Sequence, residues 1–352
     1  MKKYIYFLII GVIGCLIYSC KHNEKDNFSL QENIKTNLKY LKIDTIALPE
    51  LIYAESFLVY HDSVLIVLNK KHVNGFFIEF YDLIQHKLIN KFYRLGNGPN
   101  EILSAFVALN DNLLTINDYV KGQVAFLNLD SVLVNPSYIS LPIRHFTTSP
   151  TVSQYYKTNQ LIIENTNCFV DDELKINNNA PRFIVTNKRS AYVERSNFKY
   201  STRNVAADGD IITNYAFNKI IYTYMHKPII EIYNNDLKLI KRIFGPDKML
   251  TQYRIVDNEI IFNRRIPYTY LDFCTNKDHF FVTYMGDFLV DGKNMEDYPL
   301  WIFKFDWNGN FVDSYNIGQY ISSISISNDG KSFFGTGINI EKNPILLKLI
   351  PR

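Results

Sequence analysis

Charge of one sign, tryptophan, methionine and clustered cysteine are scarce in this 352-residue chain, and each scarcity removes a class of function. The 38 Lys and Arg are nearly balanced by 35 Asp and Glu. Without Lys2 and Lys3 of the leader, 36 basic side chains face 35 acidic ones. Nothing supplies the concentrated basic surface that nucleic-acid binding needs. The four cysteines are Cys15, Cys20, Cys168 and Cys274, and no two form a CxxC pair. A zinc ribbon or thioredoxin-like site therefore has no support. HExxH and GxSxG are absent, and the seven histidines lack helical metal-ligand spacing, so zincin and α/β-hydrolase chemistry have no foothold. No cofactor and no metal are expected.

What is abundant is aromatic. Twenty-five Phe and twenty-five Tyr against five Met favour strands over helices. The longest apolar run is Tyr4–Ile17, behind the basic Met1-Lys2-Lys3. It has the length of a signal-peptide core and is short for a membrane span. It ends in Leu16-Ile17-Tyr18-Ser19-Cys20, which resembles a bacterial lipobox whose cysteine is lipidated and becomes the first mature residue. Tyr18 departs from the small or aliphatic residue usual there. An ordinary signal peptide or an uncleaved anchor is the alternative. The expected organisation is a signal peptide over 1–19, lipidated Cys20 with a flexible polar tether over 20–36, and a folded body over 37–352. Cys168 and Cys274 then belong to that body, read as two separate buried thiols, with pairing in an oxidising compartment as the alternative.

The body repeats. An apolar–polar turn–apolar element is centred on Asp62, Asp111, Asn159, Asn218, Asp278 and Asp329, at intervals of 48 to 60 residues. Asn and Asp tolerate the backbone of tight hairpins. A second strand pair follows most copies: Ile78–Asp82 with Lys87–Lys91, Ile230–Asn234 with Lys238–Arg242, and Leu300–Asp306 with Asn310–Ile317. Weaker copies are Val124–Leu129 with Ser137–Leu141, and Arg182–Thr186 with Ala191–Arg195. Four strands per roughly fifty residues is the cadence of a β-propeller blade. The sixth copy has one strand too few, at about 344–350, while about 38–48 has no mate. The fold class is therefore all-β: a six-bladed β-propeller of four-stranded antiparallel blades, its ring closed by pairing 38–48 with 344–350. An open pair of β-sandwiches is the alternative.

Two segments carry a family resemblance: Arg94-Leu95-Gly96-Asn97-Gly98-Pro99-Asn100-Glu101-Ile102 and Ser327-Asn328-Asp329-Gly330-Lys331. With the lipobox, tether and six repeats, they make the chain similar to the TolB-like six-bladed propeller lipoproteins of Bacteroides and relatives. The second segment resembles the Ser-Pro-Asp-Gly-Lys hairpin of TolB-type blades, with Asn328 in place of proline. The resemblance implies a fold and a lipid anchor in the bacterial outer membrane, periplasmic or surface-facing. It implies no reaction.

Gly96–Glu101 lacks the lysine and the following helix of a phosphate loop, so it reads as an inter-blade connection, with Arg94 and Glu101 tying blades together. The acidic groups at 171–173, 208–210 and 291–297 lack calcium-loop spacing and read as solvated loop charge. In a four-strand meander the strand 2–3 loops, of which Asn165–Pro181 and Gly286–Pro299 are the long ones, and the blade-to-blade loops leave on one face. That long-loop face is expected to gather Arg94, Asn97, Glu101, Arg203, Tyr215, Arg264, Arg265, Tyr268, Asp287 and Tyr298 as the candidate binding surface. Packing and rim roles are the competing reading for these residues. With no catalytic constellation, the function expected is a monomeric, membrane-anchored binding or scaffold propeller. Its partner is an envelope protein or glycan, and nucleic acid is excluded. A propeller enzyme acting on glycan or peptide, or a small-ligand sensor, are the alternatives.

Overall fold

The computed structural model describes residues 27–30, 34, 37–48, 54–69, 75–98, 101–110, 112–118, 120–135, 141–145, 153–156, 160–164, 183–186, 209–214, 216–249, 253–256, 259–262, 266–290, 292–339 and 341–352. Strands dominate. β1 (Asn27–Ser29) and β2 (Leu38–Ile46) precede six consecutive units. Blade 1 is β3 (Ala54–Tyr60), β4 (Val64–Asn69), β5 (Phe76–Asp82) and β6 (Leu88–Arg94). Blade 2 is β7 (Ala105–Asn110), β8 (Leu113–Asp118), β9 (Gln123–Asn128) and β10 (Leu141–His145), with helix α1 (Leu129–Val134) between the last two. Blade 3 shows three strands among the described residues, β11 (Ser153–Tyr156), β12 (Gln160–Glu164) and β13 (Phe183–Thr186). Blade 4 is β14 (Gly209–Asn214), β15 (Lys219–Tyr224), β16 (Ile229–Asn234) and β17 (Leu239–Phe244). A small hairpin, β18 (Tyr253–Val256) and β19 (Glu259–Phe262), stands between blades 4 and 5. Blade 5 is β20 (Ile266–Thr275), β21 (His279–Leu289), β22 (Trp301–Asp306) and β23 (Phe311–Asn316). Blade 6 is β24 (Ile324–Ile326), β25 (Phe333–Ile338) and β26 (Pro344–Pro351), completed by β2.

That completion is the expected closure. β2 runs antiparallel to β26 from Leu41 opposite Pro351 to Ile46 opposite Leu346. Its first residues also pair in parallel with the end of β23, Leu38 opposite Ser314. The seam between blades 6 and 1 is stitched by hydroxyls. Thr336 Oγ1 accepts from Phe57 N at 2.7 Å, and Ser325 Oγ accepts from Val59 N at 3.0 Å. Ser323 Oγ donates to Phe57 O at 2.8 Å. These bonds satisfy the inner strand where no backbone ladder does.

Strand sequence follows position in the blade. β4 is apolar but for its last residue and buried at every position, because a middle strand packs on both faces. β6, on the outer edge, is mostly exposed or half-buried, with only Tyr93 buried. The 3–4 turns share one device: the last residue of the third strand caps the turn. Asp82 Oδ1 accepts from Ile84 N and Gln85 N at 2.9 and 2.7 Å. Asn234 Oδ1 accepts from Asp236 N and Lys238 N, and Asp306 Oδ1 from Asn308 N and Asn310 N. The first hairpin turns through His61 and Asp62, both at positive φ (49° and 58°), the geometry that Asp favours in two-residue hairpin loops. Apolar side chains fill the spaces between neighbouring sheets, such as Leu58, Ile66, Ile116 and Leu127 between blades 1 and 2.

Three expectations need correction. The outer strand of blade 2, expected to end at Leu141, runs on to His145 as β10 (Leu141–His145), and residues 136–140 lie outside the described residues. The chain first makes α1, whose N-cap Asn128 accepts from Ser131 N at 2.9 Å. Second, part of the segment read as a flexible tether is docked. β1 pairs in parallel with β17, Leu30 is fully buried, and Ile34 is nearly so. Third, β21 extends to Leu289, so the loop expected from Gly286 starts later and contains a 3-10 turn at Met295–Asp297. The pair expected at Ala191–Arg195, and the loop 165–181, lie outside the described residues.

Candidate functional site

The first strands of the blades surround a cavity of about 1080 Å³ that reaches from the 1–2 turns to the 2–3 loops. Its walls differ in chemistry. On β7, Ala105, Val107, Ala108 and Leu109 form an apolar wall, and Phe106 lies in it with 55% of its surface exposed. On β14, β20 and β24 the wall is polar, with Asp210, Asp272, Ser325 and, at the foot of the hairpin, Ser327 and Asp329. Glu296 and Tyr320 lie at the long-loop end.

Asp272 is the best-defined polar group. The register of β20 against β21 shifts between Tyr270 and Phe273, a bulge that interrupts the alternation of side chains. Thr283 Oγ1 holds the bulge, accepting from Asp272 N at 2.9 Å and donating to Asp272 O at 3.2 Å. Asp272 Oδ2 accepts from Ile324 N at 2.7 Å, which fastens blade 5 to blade 6. The side chain keeps some contact with the cavity but is surrounded by protein. Burial first, and the nearby Asp210 carboxylate second, push its pKa up to about 8. Burial and Asp272 also raise the Cys274 thiol. Burial, Glu296 and Asp272 push the Tyr320 hydroxyl up to about 12. The cavity thus holds a carboxylic acid that carries its proton at neutral pH beside a second carboxyl group. Among the described residues no group of three His, Cys, Asp or Glu is arranged to hold a metal. Cys274 is a buried free thiol, and Cys168 lies outside the described residues.

The residues expected on the long-loop face have other roles where they are described. Arg94 is exposed and lies over the Phe76 ring at 5.7 Å. Asn97 is at an exposed loop tip. Glu101 folds back into its own loop, where Oε2 accepts from Gly98 N at 2.7 Å. A Cβ on Gly96 or Gly98 would sit 2.2 or 2.9 Å from that carboxyl group, so a side chain at either position would displace the Glu101 carboxylate from this bond. The tie to blade 2 is made by Lys121 Nζ, which donates to Gly98 O and, at 2.6 Å, to Glu101 O. Gln123 Nε2 reaches the same Glu101 oxygen at 2.6 Å. The expected tie through Arg94 and Glu101 is therefore replaced by one from Lys121 and Gln123 to backbone oxygens of the loop. Lys121→Met will cost about 1.5–3 kcal/mol, the worth of hydrogen bonds from a charged donor. Thermal denaturation checks this, and a loss under about 0.5 kcal/mol would show the loop to be self-supporting.

Tyr268 is half-buried, edge-on to His226 at 4.9 Å, and burial raises its hydroxyl pKa. Asp287 is exposed and accepts from Phe288 N at 2.7 Å. Tyr298 is buried at 3% exposure, and its hydroxyl closes the 288–298 loop by donating to Phe288 O and accepting from Val290 N. None of these six lines the cavity. Arg203, Tyr215, Arg264, Arg265 and Cys20 lie outside the described residues. Phe106, Asp272 and Tyr320 were missed. The one available signal was an aspartate inside the largely apolar β20.

Comparison with known proteins agrees with the architecture. No curated protein matches the chain. Among solved structures, a protein from Bacteroides fragilis NCTC 9343 described as exported is 14% identical, over 93% of this chain and 99% of that one, with a TM-score of 0.54. A member of the duf4221 family from Bacteroides vulgatus is 8% identical over 88% and 96%, with a TM-score of 0.56. At these identities the likeness is one of fold. The model of the TolB-like 6-blade propeller-like family matches residues 55–329, from the first inner strand to the turn of the last hairpin. Six sequential units, a closure strand borrowed from the N-terminus and a match across most of the chain have one explanation: the chain belongs to the TolB-like six-blade propeller family.

Proposed function

We propose that this chain is a lipid-anchored binding protein of the bacterial envelope, which takes a segment of a protein or envelope polymer at its long-loop face and into the cavity behind it. The cavity carries this reading. It is of ligand size, with an exposed aromatic ring on one wall and hydroxyl and carboxyl groups on the others. Such a mixed lining suits a ligand with an apolar face and polar edges. The lipobox-like Leu16–Cys20 supports the anchor, and the exported Bacteroides fragilis protein of the same fold supports an envelope location.

A second reading rests on Asp210 and Asp272. Two neighbouring carboxyl groups, one of them raised by burial and by the charge of the other, are the equipment of an acid–base pair, and a glycan- or peptide-acting enzyme would use them so. One experiment separates the readings. A photo-crosslinking amino acid at Phe106 in the lipidated protein, activated in cells, should yield one dominant envelope adduct that a carboxyl-neutral Asp272→Asn background leaves unchanged. An adduct whose glycan or peptide is longer in the Asp272→Asn background would favour the enzyme. No adduct from Phe106 or from a second probe at Tyr320 would overturn the cavity as a binding site.

A further inference from the structure

The docked N-terminal strand says which way the propeller faces its membrane. β17 climbs from the 3–4 turn at Asn234–Lys238 to the blade-to-blade connection, so it points toward the long-loop face. β1 lies parallel to it, Asn27 opposite Arg242 and Ser29 opposite Phe244, and Leu30 N donates to Phe244 O at 3.0 Å. The chain therefore arrives at Asn27 from the short-turn side. Buried Leu30 and Ile34 then lock it into the core shared by blades 4 and 5. Asn27 is only seven positions beyond Cys20, and at about 3.5 Å each they reach no more than about 25 Å. That is little more than the height of one six-residue strand, about 20 Å.

The exposed apolar side chains are distributed to match. At the short-turn end, Ile84 in the blade 1 turn is 79% exposed and Val134 at the end of α1 is 82% exposed. Phe217 in the blade 4 hairpin is 45% exposed, and Leu239 at the foot of β17 is 40% exposed. Among the described residues the long-loop end presents Leu103, Val120, Ile338 and, at the mouth of the cavity, Phe106, each less exposed than Ile84 and Val134. Scattered apolar tips on one face of a tethered protein are the elements that settle into the headgroup–acyl boundary.

We infer that the short-turn face is a membrane-contact surface. The lipid at Cys20 draws it onto the bilayer, Ile84, Val134 and Phe217 enter the interface, and the long-loop face points away. The inference rests on the lipid-anchored reading above. The occupant is the lipid bilayer, because the Asn27 end of β1 faces the short-turn side and only seven positions, no more than about 25 Å, separate it from Cys20.

The test uses the full chain made in a host that lipidates it, placed in vesicles of phosphatidylethanolamine and phosphatidylglycerol with brominated acyl chains. Ile84→Trp and Val134→Trp report on the short-turn face, and Leu103→Trp and Val120→Trp on the other, each against the parent protein. The added fluorescence of the first pair should be quenched at least twofold more than that of the second. Equal quenching, or the reverse order, in protein whose intact mass shows acylated Cys20 would overturn the orientation and leave the anchor standing. An intact mass without acyl groups on Cys20 would overturn the anchor, and this inference with it. Two reporters per face keep the comparison valid if one variant fails to fold.

Discussion

Glu231→Ala will lower the stability of the protein by about 3–5 kcal/mol, the cost of removing one partner from a buried charge pair. Glu231 lies on β16 of blade 4 with 2% exposure. Its Oε2 accepts from Tyr224 OH at 2.9 Å and from Tyr233 OH at 2.6 Å, while Oε1 accepts from Arg242 Nε at 2.8 Å. Truncation leaves two hydroxyls and a largely covered guanidinium with no common acceptor, and water has poor access to replace it. The equivalent residue of blade 1, Glu79, is also buried but receives Tyr81 OH at 3.0 Å, and Tyr81 is pushed up to about 12 by burial and by Glu79. Glu79→Ala should therefore cost less, about 1–3 kcal/mol. Thermal and urea denaturation of the two variants and the parent check this. Equal losses would show that the arginine adds nothing, and Glu231→Gln should fall between parent and alanine.

Blade architecture was readable because each hairpin advertises itself locally: an Asn or Asp in the turn, flanked by apolar runs. Ring closure was readable by subtraction, since 344–350 lacked a partner and 38–48 had one to give. α1 was not readable. Its six residues, Leu129–Val134, are rich in valine and leucine and look like the strand they interrupt; only Asn128 followed by Asp130 and Ser131 marks a cap. β1 was less readable still. Three residues carry no alternation, and the sole hint of docking is Phe28, Leu30 and Ile34 in an otherwise polar stretch. Both elements owe their conformation to neighbours far along the chain, which local patterns do not record.

The site was harder for a related reason. The cavity takes its lining from inner strands about fifty residues apart, so no motif spans it. The Gly-Asn-Gly-Pro segment drew attention as a motif, yet its glycines serve the close approach of Glu101. Tyr298 suggests a binding tyrosine by type, but its hydroxyl is spent on backbone groups of its own loop. The bulge that sets the environment of Asp272 depends on the pairing of β20 with β21, and the raised pKa on burial among the inner strands and, second, on Asp210 from another blade.

Asp272 gives the protein a pH dependence of definite sign. In the unfolded chain its carboxyl group titrates near pH 4, and in the fold near pH 8. Between those values the folded state holds a proton that the unfolded state has released, so stability falls as pH rises through the window. The loss is complete above the folded pKa. Every tenfold difference in proton affinity between fold and unfolded chain is worth about 1.4 kcal/mol. Residual contact with cavity water screens the charge, so a fall of about 1–3 kcal/mol between pH 5 and 9 is expected. Asp272→Asn keeps an oxygen for Ile324 N and cannot ionise; it should flatten the profile and be the more stable protein at pH 9. Asp210→Asn removes the second cause of the raised pKa and should move the fall to lower pH. Melting curves for the three proteins from pH 5 to 9 decide the matter. If Asp272→Asn declines in parallel with the parent, the proton is held elsewhere and the cavity is not the titrating element. If it does not, ligands offering a positive charge to the cavity should bind more tightly above pH 8 than below it, as Asp272 becomes free to pair with them.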